Sequence, residues 1–145
     1  MTLLDANALA GLLLGEPARL QVAELLRNGD CAVPAACLGE VVDNLMRKHQ
    51  IPQPSMSERL GPLLDETLTV LAVDQRTAWR AGELRAAHYH HVDSALSLAD
   101  CLLLASTKPG DLIATSDRAV ETTAQALGIG LIPLLDSNGE RPSIG

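Results

Sequence analysis

The stretch Leu112-Ile113-Ala114-Thr115-Ser116-Asp117 is a short apolar run that ends in an acid, and it decides the fold class of this chain. Such a run is typical of a buried strand, and the residues after Asp117 have the spacing of a helix. The same arrangement begins the chain, where Thr2-Leu3-Leu4 precedes Asp5. Two carboxylates are therefore predicted at the carboxyl ends of two strands, where open α/β sheets bind their ligands.

Both acids also have a structural interpretation. An aspartate directly after a strand is a common N-cap of the following helix. For the helix after residue 117, Thr115 or Ser116 could provide the cap instead, which would leave Asp117 free to face a cleft. The sequence leaves these alternatives open.

Short apolar runs alternate with helical patterns along the rest of the chain. Strands are predicted at residues 2–4, 31–33, 68–73, 112–115 and 131–134. Helices are predicted at residues 17–27, 34–49, 57–66, 76–88, 97–106 and 118–127. Residues 50–57, which contain two prolines, are expected to form a linker or a kink. This alternation predicts an α/β fold with a mostly parallel central sheet and helices on both faces.

The length of 145 residues and the 47% hydrophobic content predict a single domain over residues 1–145. The tail, residues 137–145, is expected to be loosely ordered. Cys31, Cys37 and Cys101 are an odd number with apolar neighbours, so free core thiols are expected. The sequence lacks the pattern of a signal peptide or a membrane span, and we therefore expect a cytoplasmic protein.

Two further acids stand out in the helical segments. Asp100 lies within Leu98–Ala105, which is apolar around nearly the whole helical circumference and should be buried. A buried carboxylate needs a proton, a partner or a metal. Glu40 is turned away from the apolar stripe of its helix, and by itself it is a solvated surface acid. If the four acids share a cleft, they would suit Mg²⁺ or Mn²⁺, which can activate water and stabilise the departing oxygen of a phosphodiester.

Taken alone, the net charge of −7 argues against a nucleic-acid partner. If four acids bind metal, however, only three of these excess negative charges remain, and bound cations reverse the local sign. Trp79 and Tyr89 are the only large aromatic residues, so an extended base-stacking platform is not expected. The histidines at 88, 90 and 91 lack the partners of a zinc site and are interpreted as solvated or facing RNA.

Four short motifs, in this order, resemble those of the PIN-domain family, and most closely the VapC-type toxin ribonucleases of toxin–antitoxin pairs. They are Leu3-Leu4-Asp5-Ala6-Asn7-Ala8-Leu9, Leu38-Gly39-Glu40-Val41, Ser97-Leu98-Ala99-Asp100-Cys101-Leu102-Leu103-Leu104-Ala105 and Ala114-Thr115-Ser116-Asp117. The resemblance spans nearly the whole chain. One departure is Ala6, where many members of the family carry a hydroxyl residue.

The resemblance implies a three-layer α/β/α fold and a Mg²⁺- or Mn²⁺-dependent endoribonuclease that forms a homodimer and is inhibited by a cognate antitoxin. It also implies that the catalytic and metal-binding acids are Asp5, Glu40, Asp100 and Asp117. Supporting roles fall to Asn7, Thr115, Ser116 and Asp93. Arg85 is a candidate RNA contact, although a solvated helix arginine explains it equally well.

Three other classes of protein are alternatives to a nuclease. A PIN-like module that binds RNA or protein without cleavage would be expected to lack at least one acid, and none is missing. A receiver-type signalling domain needs an acidic pair after the first strand, whereas Asp5 stands alone. A haloacid-dehalogenase-type phosphatase needs a second aspartate after Asp5, where the chain has Ala6-Asn7.

Overall fold

A computed structural model of the protein describes residues 1–141, and these form a parallel five-stranded sheet flanked by helices. The predicted three-layer α/β/α architecture is confirmed. The strands are β1 (Thr2–Leu4), β2 (Cys31–Pro34), β3 (Leu68–Leu71), β4 (Leu112–Thr115) and β5 (Gly130–Pro133). The helices are α1 (Ala6–Leu14), α2 (Arg19–Asn28), α3 (Ala35–Asp43), α4 (Gln53–Glu66), α5 (Gln75–His88), α6 (Leu98–Ala105) and α7 (Arg118–Ala126).

The strand order is β3-β2-β1-β4-β5, and every neighbouring pair is parallel. From β1 the chain moves outward to β2, whereas from β4 it moves outward in the other direction, to β5. The order therefore reverses between β1 and β4. Open parallel sheets bind their ligands in the crevice at such a switch point, beyond the carboxyl ends of the strands.

The two central strands are buried on both faces, which explains their uninterrupted apolar sequences. Leu3 and Leu4 of β1 and Ile113 and Ala114 of β4 have no exposed surface. The polar residues that follow β1 and β4 are therefore attached to strands that are tightly packed and shielded from water.

The largest departure from the sequence-based expectation is helix α1, which is missing from the predicted helices. Asp5 caps this helix and Gly15 ends it in the left-handed region, at φ +73°. Between these ends the helix has apolar residues on most sides and lacks an amphipathic stripe. Its pattern therefore gave no periodic signal.

Two predicted boundaries are also wrong. The predicted linker over residues 50–57 is too long, since α4 begins at Gln53 with Pro54 in its first turn, where a missing N–H costs nothing. The helix predicted over residues 34–49 is not regular throughout, because residues Asn44–Lys48 form a π-helical turn after α3.

Residues 142–145, part of the tail for which loose order is predicted, lie outside the described residues. The preceding residues 136–140 form a turn in which the Asp136 carboxylate accepts hydrogen bonds from the amides of Asn138 and Glu140. None of the helices within residues 1–141 has the length and apolarity needed to cross a membrane.

Candidate active site

Four acids lie around the carboxyl ends of β1 and β4, on four separate segments of the chain, and we call them the acidic cluster. Asp5 follows β1 and Asp117 lies two residues after β4, so the switch point of the sheet brings them together. Asp100 comes from the first turn of α6 and Glu40 from α3, and these two helices pack against each other. The acidic cluster is Asp5, Glu40, Asp100 and Asp117.

Asp5 is the buried centre of this group, with 3% of its surface exposed. One carboxylate oxygen accepts the amide of Ala8, 2.7 Å away, and the other accepts the hydroxyl of Thr115. Burial raises the pKa of Asp5 to about 7 in spite of these two hydrogen bonds, and the nearby carboxylates of Asp100 and Asp117 raise it further. Near neutral pH, Asp5 is therefore poised between its protonated and charged forms.

Thr115, at the end of β4, links two of the acids. Its hydroxyl donates to Asp5 and accepts the backbone amide of Asp117 at 2.9 Å. The residue is fully buried. Because a hydroxyl has one donor and two acceptor positions, both contacts are satisfied at once. The predicted supporting residue Thr115 thus holds the chain at position 117 in register with the Asp5 carboxylate.

Asp117 itself is the N-cap of α7, so neither Thr115 nor Ser116 provides this cap. Its Oδ1 accepts the amides of Ala119 and Val120, at 2.8 and 3.2 Å. The cap uses one oxygen only, and Oδ2 accepts no hydrogen bond within residues 1–141. Capping and a role in the acidic cluster are therefore compatible for this residue.

Asp100 belongs to a capping box at the start of α6. The Ser97 hydroxyl accepts the amide of Asp100 at 3.0 Å, and Oδ2 of Asp100 accepts the amide of Ser97 at 2.8 Å. Burial raises the pKa of Asp100 most, the Ser97 hydrogen bonds lower it, and Asp117 raises it. In the described part of the chain, Oδ1 of Asp100 accepts no hydrogen bond.

Glu40 reaches the same cluster from α3. Burial raises its pKa, and the Asp100 carboxylate raises it further. Between these acids lies the Cys37 thiol, whose sulfur donates to the Ala99 carbonyl at 3.6 Å. Burial raises the pKa of Cys37 strongly, and the carboxylates of Asp5, Glu40 and Asp100 add to this effect. The Cys37 thiol is therefore protonated and uncharged beside these carboxylates.

Helix N-termini offset part of the repulsion among these carboxylates. Asp5 and Asp117 are N-caps of α1 and α7, and Asp100 occupies the third position of α6. The amides at a helix N-terminus carry partial positive charge and stabilise nearby anions. Three of the four acids are fixed in this way, and two of them, Asp100 and Asp117, keep one oxygen that accepts no hydrogen bond within residues 1–141.

Two features of the acidic cluster suit a divalent cation. Its donor atoms are all carboxylate oxygens, and Asp100 and Asp117 each have one oxygen that accepts no hydrogen bond within residues 1–141. Hard cations such as Mg²⁺ take oxygen ligands from one or two carboxylates and complete their shell with water and substrate phosphate. Within residues 1–141, no group of three or more His, Cys, Asp or Glu side chains is arranged so that it could hold a metal ion. The oxygen donors of the acidic cluster therefore suit a hard cation that takes only one or two protein carboxylates.

The other predicted site residues occupy different positions. Asn7 is exposed and, with Ser116, lines a cavity of about 270 Å³ beside the cluster. Asp93 is not brought into the cluster: its side chain is 83% exposed and lies 3.6 Å from Nδ1 of His90. Arg85 donates to the Leu96 carbonyl at 3.0 Å and stacks on Tyr89, 4.4 Å from the ring centre. These contacts hold the loop that leads into α6.

The histidines of this loop contribute to its local geometry. Nδ1 of His90 accepts the backbone amides of Val92 and Asp93 at 3.2 and 3.1 Å. The rings of His90 and His91 stack with their centres 4.7 Å apart. His90 thus organises the turn, and no zinc-like group of ligands forms around it in the part of the chain that the structure describes.

Two residues of the site were not singled out from the sequence. Ser97 could have been, because Ser97-x-x-Asp100 is the spacing of a capping box. Glu121 could not, since an acid one turn after Asp117 has the pattern of a solvated helix residue. It is 4% exposed, and its Oε1 has no hydrogen-bond partner within residues 1–141. Burial raises the pKa of Glu121, and Asp117 raises it further.

Comparison with known proteins adds the following findings. The family model of the PIN domain matches residues 2–126 of this chain. No curated protein matches the sequence.

Three solved structures are similar in fold. A toxin-antitoxin complex from Klebsiella pneumoniae matches with a TM-score of 0.58 and 22% identity, over 81% of this chain and 87% of the other. FitAcB from Neisseria gonorrhoeae matches with a TM-score of 0.61 and 18% identity, over 91% and 96%. VapBC2 from Rickettsia felis, bound to a DNA fragment from their promoter, matches with a TM-score of 0.63 and 13% identity, over 92% and 98%.

Proposed function

Since the chain belongs to the PIN-domain family, we propose that it is a metal-dependent endoribonuclease and the toxin component of a toxin–antitoxin pair. The observation that carries the proposal is the acidic cluster at the switch point of the sheet. It combines carboxylates from four segments with two uncapped oxygens, on Asp100 and Asp117. A structural role as helix caps would require neither this convergence nor the burial of Asp5.

The residues that would hold Mg²⁺ or Mn²⁺ are the four acids of the cluster. When bound, such an ion supplies activation of water and stabilisation of negative charge on the phosphate oxygens. The protein's own groups fix the geometry for this chemistry. Thr115 and the Ala8 amide orient Asp5, Ser97 orients Asp100, and the first turn of α7 orients Asp117.

Glu40 differs from the other acids because it caps no helix and lies in the middle of α3. Burial and Asp100 raise the pKa of its carboxyl group and favour the protonated form, while a hydrogen bond from the Ser97 side chain lowers the pKa in part. We assign to Glu40 the role of a water-orienting or metal-binding acid at the open side of the cleft, where it can exchange a proton with solvent.

The toxin assignment and the partners rest on similarity. The structures of similar fold come from a toxin-antitoxin complex and from FitAcB and VapBC2. We therefore propose RNA as the substrate, a cognate antitoxin as the inhibitor and a homodimer as the assembly. We also place the action of the enzyme in the cytoplasm, because its three cysteines are buried free thiols, which suit a reducing compartment.

The test is cleavage of total cellular RNA by the purified protein, freed of any antitoxin, with Mg²⁺, Mn²⁺ or EDTA. Asp100→Asn removes one metal-binding charge, while Asp65→Asn is a matched control on the exposed surface of α4. We expect discrete, metal-dependent fragments from the wild type and from the control, and none from Asp100→Asn. Cleavage by Asp100→Asn at the wild-type rate would refute the site. A lack of cleavage under every condition would favour a non-catalytic binding module.

A further inference from the structure

A second concave surface lies at the far end of the α5–α6 pair from the acidic cluster. It is a cavity of about 940 Å³ between the first turns of α5 and the segment after α6, and we call it the Trp79 cavity. The acidic cluster is near the start of α6, whereas the cavity is lined by its last residue, Ala105, and by the residues that follow. Asp100 and Ala105 are five residues apart, about 7.5 Å along the helix axis.

Three cations converge on this cavity. Arg76 and Arg80 stand one turn apart on α5, and Lys108 comes from the loop before β4. None of the three takes part in an ion pair within residues 1–141, in contrast to Arg47, which pairs with Asp43 at 2.8 Å. The surface thus offers three cations without a close ion pair in a chain whose net charge is −7.

Two acids also line the cavity, so three cations stand against two carboxylates and the excess is one positive charge. Asp74 is the N-cap of α5, and its Oδ1 accepts the Thr77 amide at 2.7 Å. Glu83 lines the other end of the cavity and forms no ion pair with the arginines in the described part of the chain. A positive excess therefore remains, which favours an anionic ligand.

Trp79 lies between the two arginines in sequence and is the single tryptophan of the chain. It is 72% exposed although it is the largest apolar side chain in the protein. An exposed aromatic ring beside cations is the combination that binds single-stranded nucleic acid, because the base stacks on the ring while the phosphates contact the cations. A volume of about 940 Å³ also lies in the range of ligand sites rather than of flat interfaces.

We propose that the Trp79 cavity binds a single-stranded segment of RNA outside the cleavage site, with a base on Trp79 and phosphates on Arg76, Arg80 and Lys108. The inference rests on the proposed function, because it supplies that enzyme with a second contact on its RNA. The separation of about 7.5 Å along α6 is short enough for a few nucleotides of one strand to cover. One strand can thus span both sites.

The experiment uses the fluorescence of Trp79, which reports on this cavity alone. The wild-type protein in EDTA is titrated with a short single-stranded oligoribonucleotide, so that binding is measured without cleavage. We expect saturable quenching and an affinity that falls with salt, with a slope of about −2 in log K against log[salt] for three phosphate contacts. Inorganic phosphate should compete only weakly, since it offers no base for stacking.

The variants are Arg76→Gln with Arg80→Gln, and the matched control is Arg27→Gln on the exposed side of α2. The double variant should bind labelled RNA at least tenfold more weakly and lower the magnitude of the salt slope by about 1.4. Trp79→Ala, measured by polarisation of the labelled RNA, should weaken binding about tenfold. Arg27→Gln should bind like the wild type, and all variants should melt cooperatively.

Several outcomes would overturn the inference. These are unchanged fluorescence on addition of RNA, equal affinity in the double variant, or equal binding of inorganic phosphate. A shift of the double variant from a larger species to a monomer in sedimentation would identify the surface as an interface between copies instead. Quenching of Trp79 without any RNA cleavage would refute the proposed function and leave this binding site standing. RNA cleavage that these substitutions do not change would support the proposed function and refute the binding site.

Discussion

At the scale of single residues, Asp5 combines two roles that the sequence presents as alternatives. It caps α1 through the Ala8 amide and is also the most buried acid of the cluster. Its burial is tolerated because both oxygens accept hydrogen bonds and because the carboxyl group can hold a proton near neutral pH. The structural and functional interpretations of such an aspartate therefore do not compete.

The raised pKa of Asp5 predicts how the metal-free protein responds to pH. In the unfolded chain Asp5 has the ordinary aspartate pKa of 3.8, and in the folded chain its pKa is about 7. Folding therefore favours the protonated form, so its stabilising effect is complete below pH 3.8 and is lost as the pH rises to about 7. Asp5 should therefore lower the free energy of unfolding in EDTA over this window by at most about 4 kcal/mol.

Asp5→Asn should remove most of this dependence, since an amide does not ionise. The measurement is urea unfolding in EDTA at about pH 5 and about pH 8. The variant should equal or exceed the wild type in stability at the higher pH. A wild-type stability that rises between these two pH values, or a variant with the same slope, would contradict the assignment of this pKa.

Thr115 gives a second prediction, because its hydroxyl connects Asp5 to the backbone of residue 117. Thr115→Val keeps the shape but leaves a buried carboxylate and a buried amide each without one partner, which should cost about 1–3 kcal/mol. Cleavage should fall with it, since Asp5 and Asp117 lose their common link. Thr115→Ser should restore both contacts and the activity.

The control for this substitution is Thr123→Val on α7. Thr123 is also buried, but its hydroxyl donates to the Ala119 carbonyl of its own helix. This variant should retain full activity. If the two valine variants lose activity equally, Thr115 has no specific positioning role.

At the scale of elements, the site depends on where helices begin. α1, α6 and α7 each place a carboxylate of the cluster within their first turn, and their N-termini lie around one cleft. The positive ends of three helices thus stabilise a group of negative charges that would otherwise separate. Helix starts in this protein determine the charge balance of the acidic cluster as well as the fold.

Much of this arrangement could be predicted from the sequence. The strands that carry Asp5 and Asp117 are short apolar runs followed by an acid, and β1 and β4 have the predicted bounds. Asp100 was recognisable because it interrupts an apolar helix. The convergence itself could not be derived, since it depends on a strand order that no local pattern encodes.

Three other features could not be predicted, because the sequence around them does not indicate them. α1 is apolar on most sides and lacks a helical stripe, and Glu121 is buried although its spacing is that of a surface acid. The Trp79 cavity also has no sequence motif, because its cations come from two segments that meet only through the packing of α5 on α6.

The capping box of α6 provides the prediction at this scale. Ser97→Ala removes the acceptor of the Asp100 amide and should destabilise the protein by about 1 kcal/mol. It should also lower cleavage, because the Asp100 carboxylate is less firmly held. Ser57→Ala, on the exposed surface of α4, is the matched control and should be close to neutral, because it removes only a solvent-exposed hydrogen bond from Gln53. Equal melting temperatures for the two variants would show that the box contributes nothing.

At the scale of the whole molecule, charge is distributed unevenly. The chain carries 18 acids against 11 lysines and arginines, and four of the acids are placed around one cleft. Three of the cations are collected at the Trp79 cavity, on the opposite end of the α5–α6 pair. An RNA strand that follows this pair would leave a positive surface and enter a negative one, which becomes attractive only when cations are bound there.

The concentration of negative charge in the acidic cluster predicts that divalent cations stabilise the folded protein. A ligand that binds only the native state adds RT ln(1 + [L]/Kd), about 2.7 kcal/mol at a concentration a hundredfold above Kd. Mg²⁺ or Mn²⁺ should thus raise the melting temperature of the wild type. NaCl at the same ionic strength should have a much smaller effect, because screening of a net charge of −7 is not specific to the cluster. Asp100→Asn should lose most of the metal-dependent shift, whereas Asp65→Asn should keep it. If Mg²⁺, Mn²⁺ and NaCl raise the melting temperature equally, the cations act by screening alone, and the acidic cluster is not a metal site.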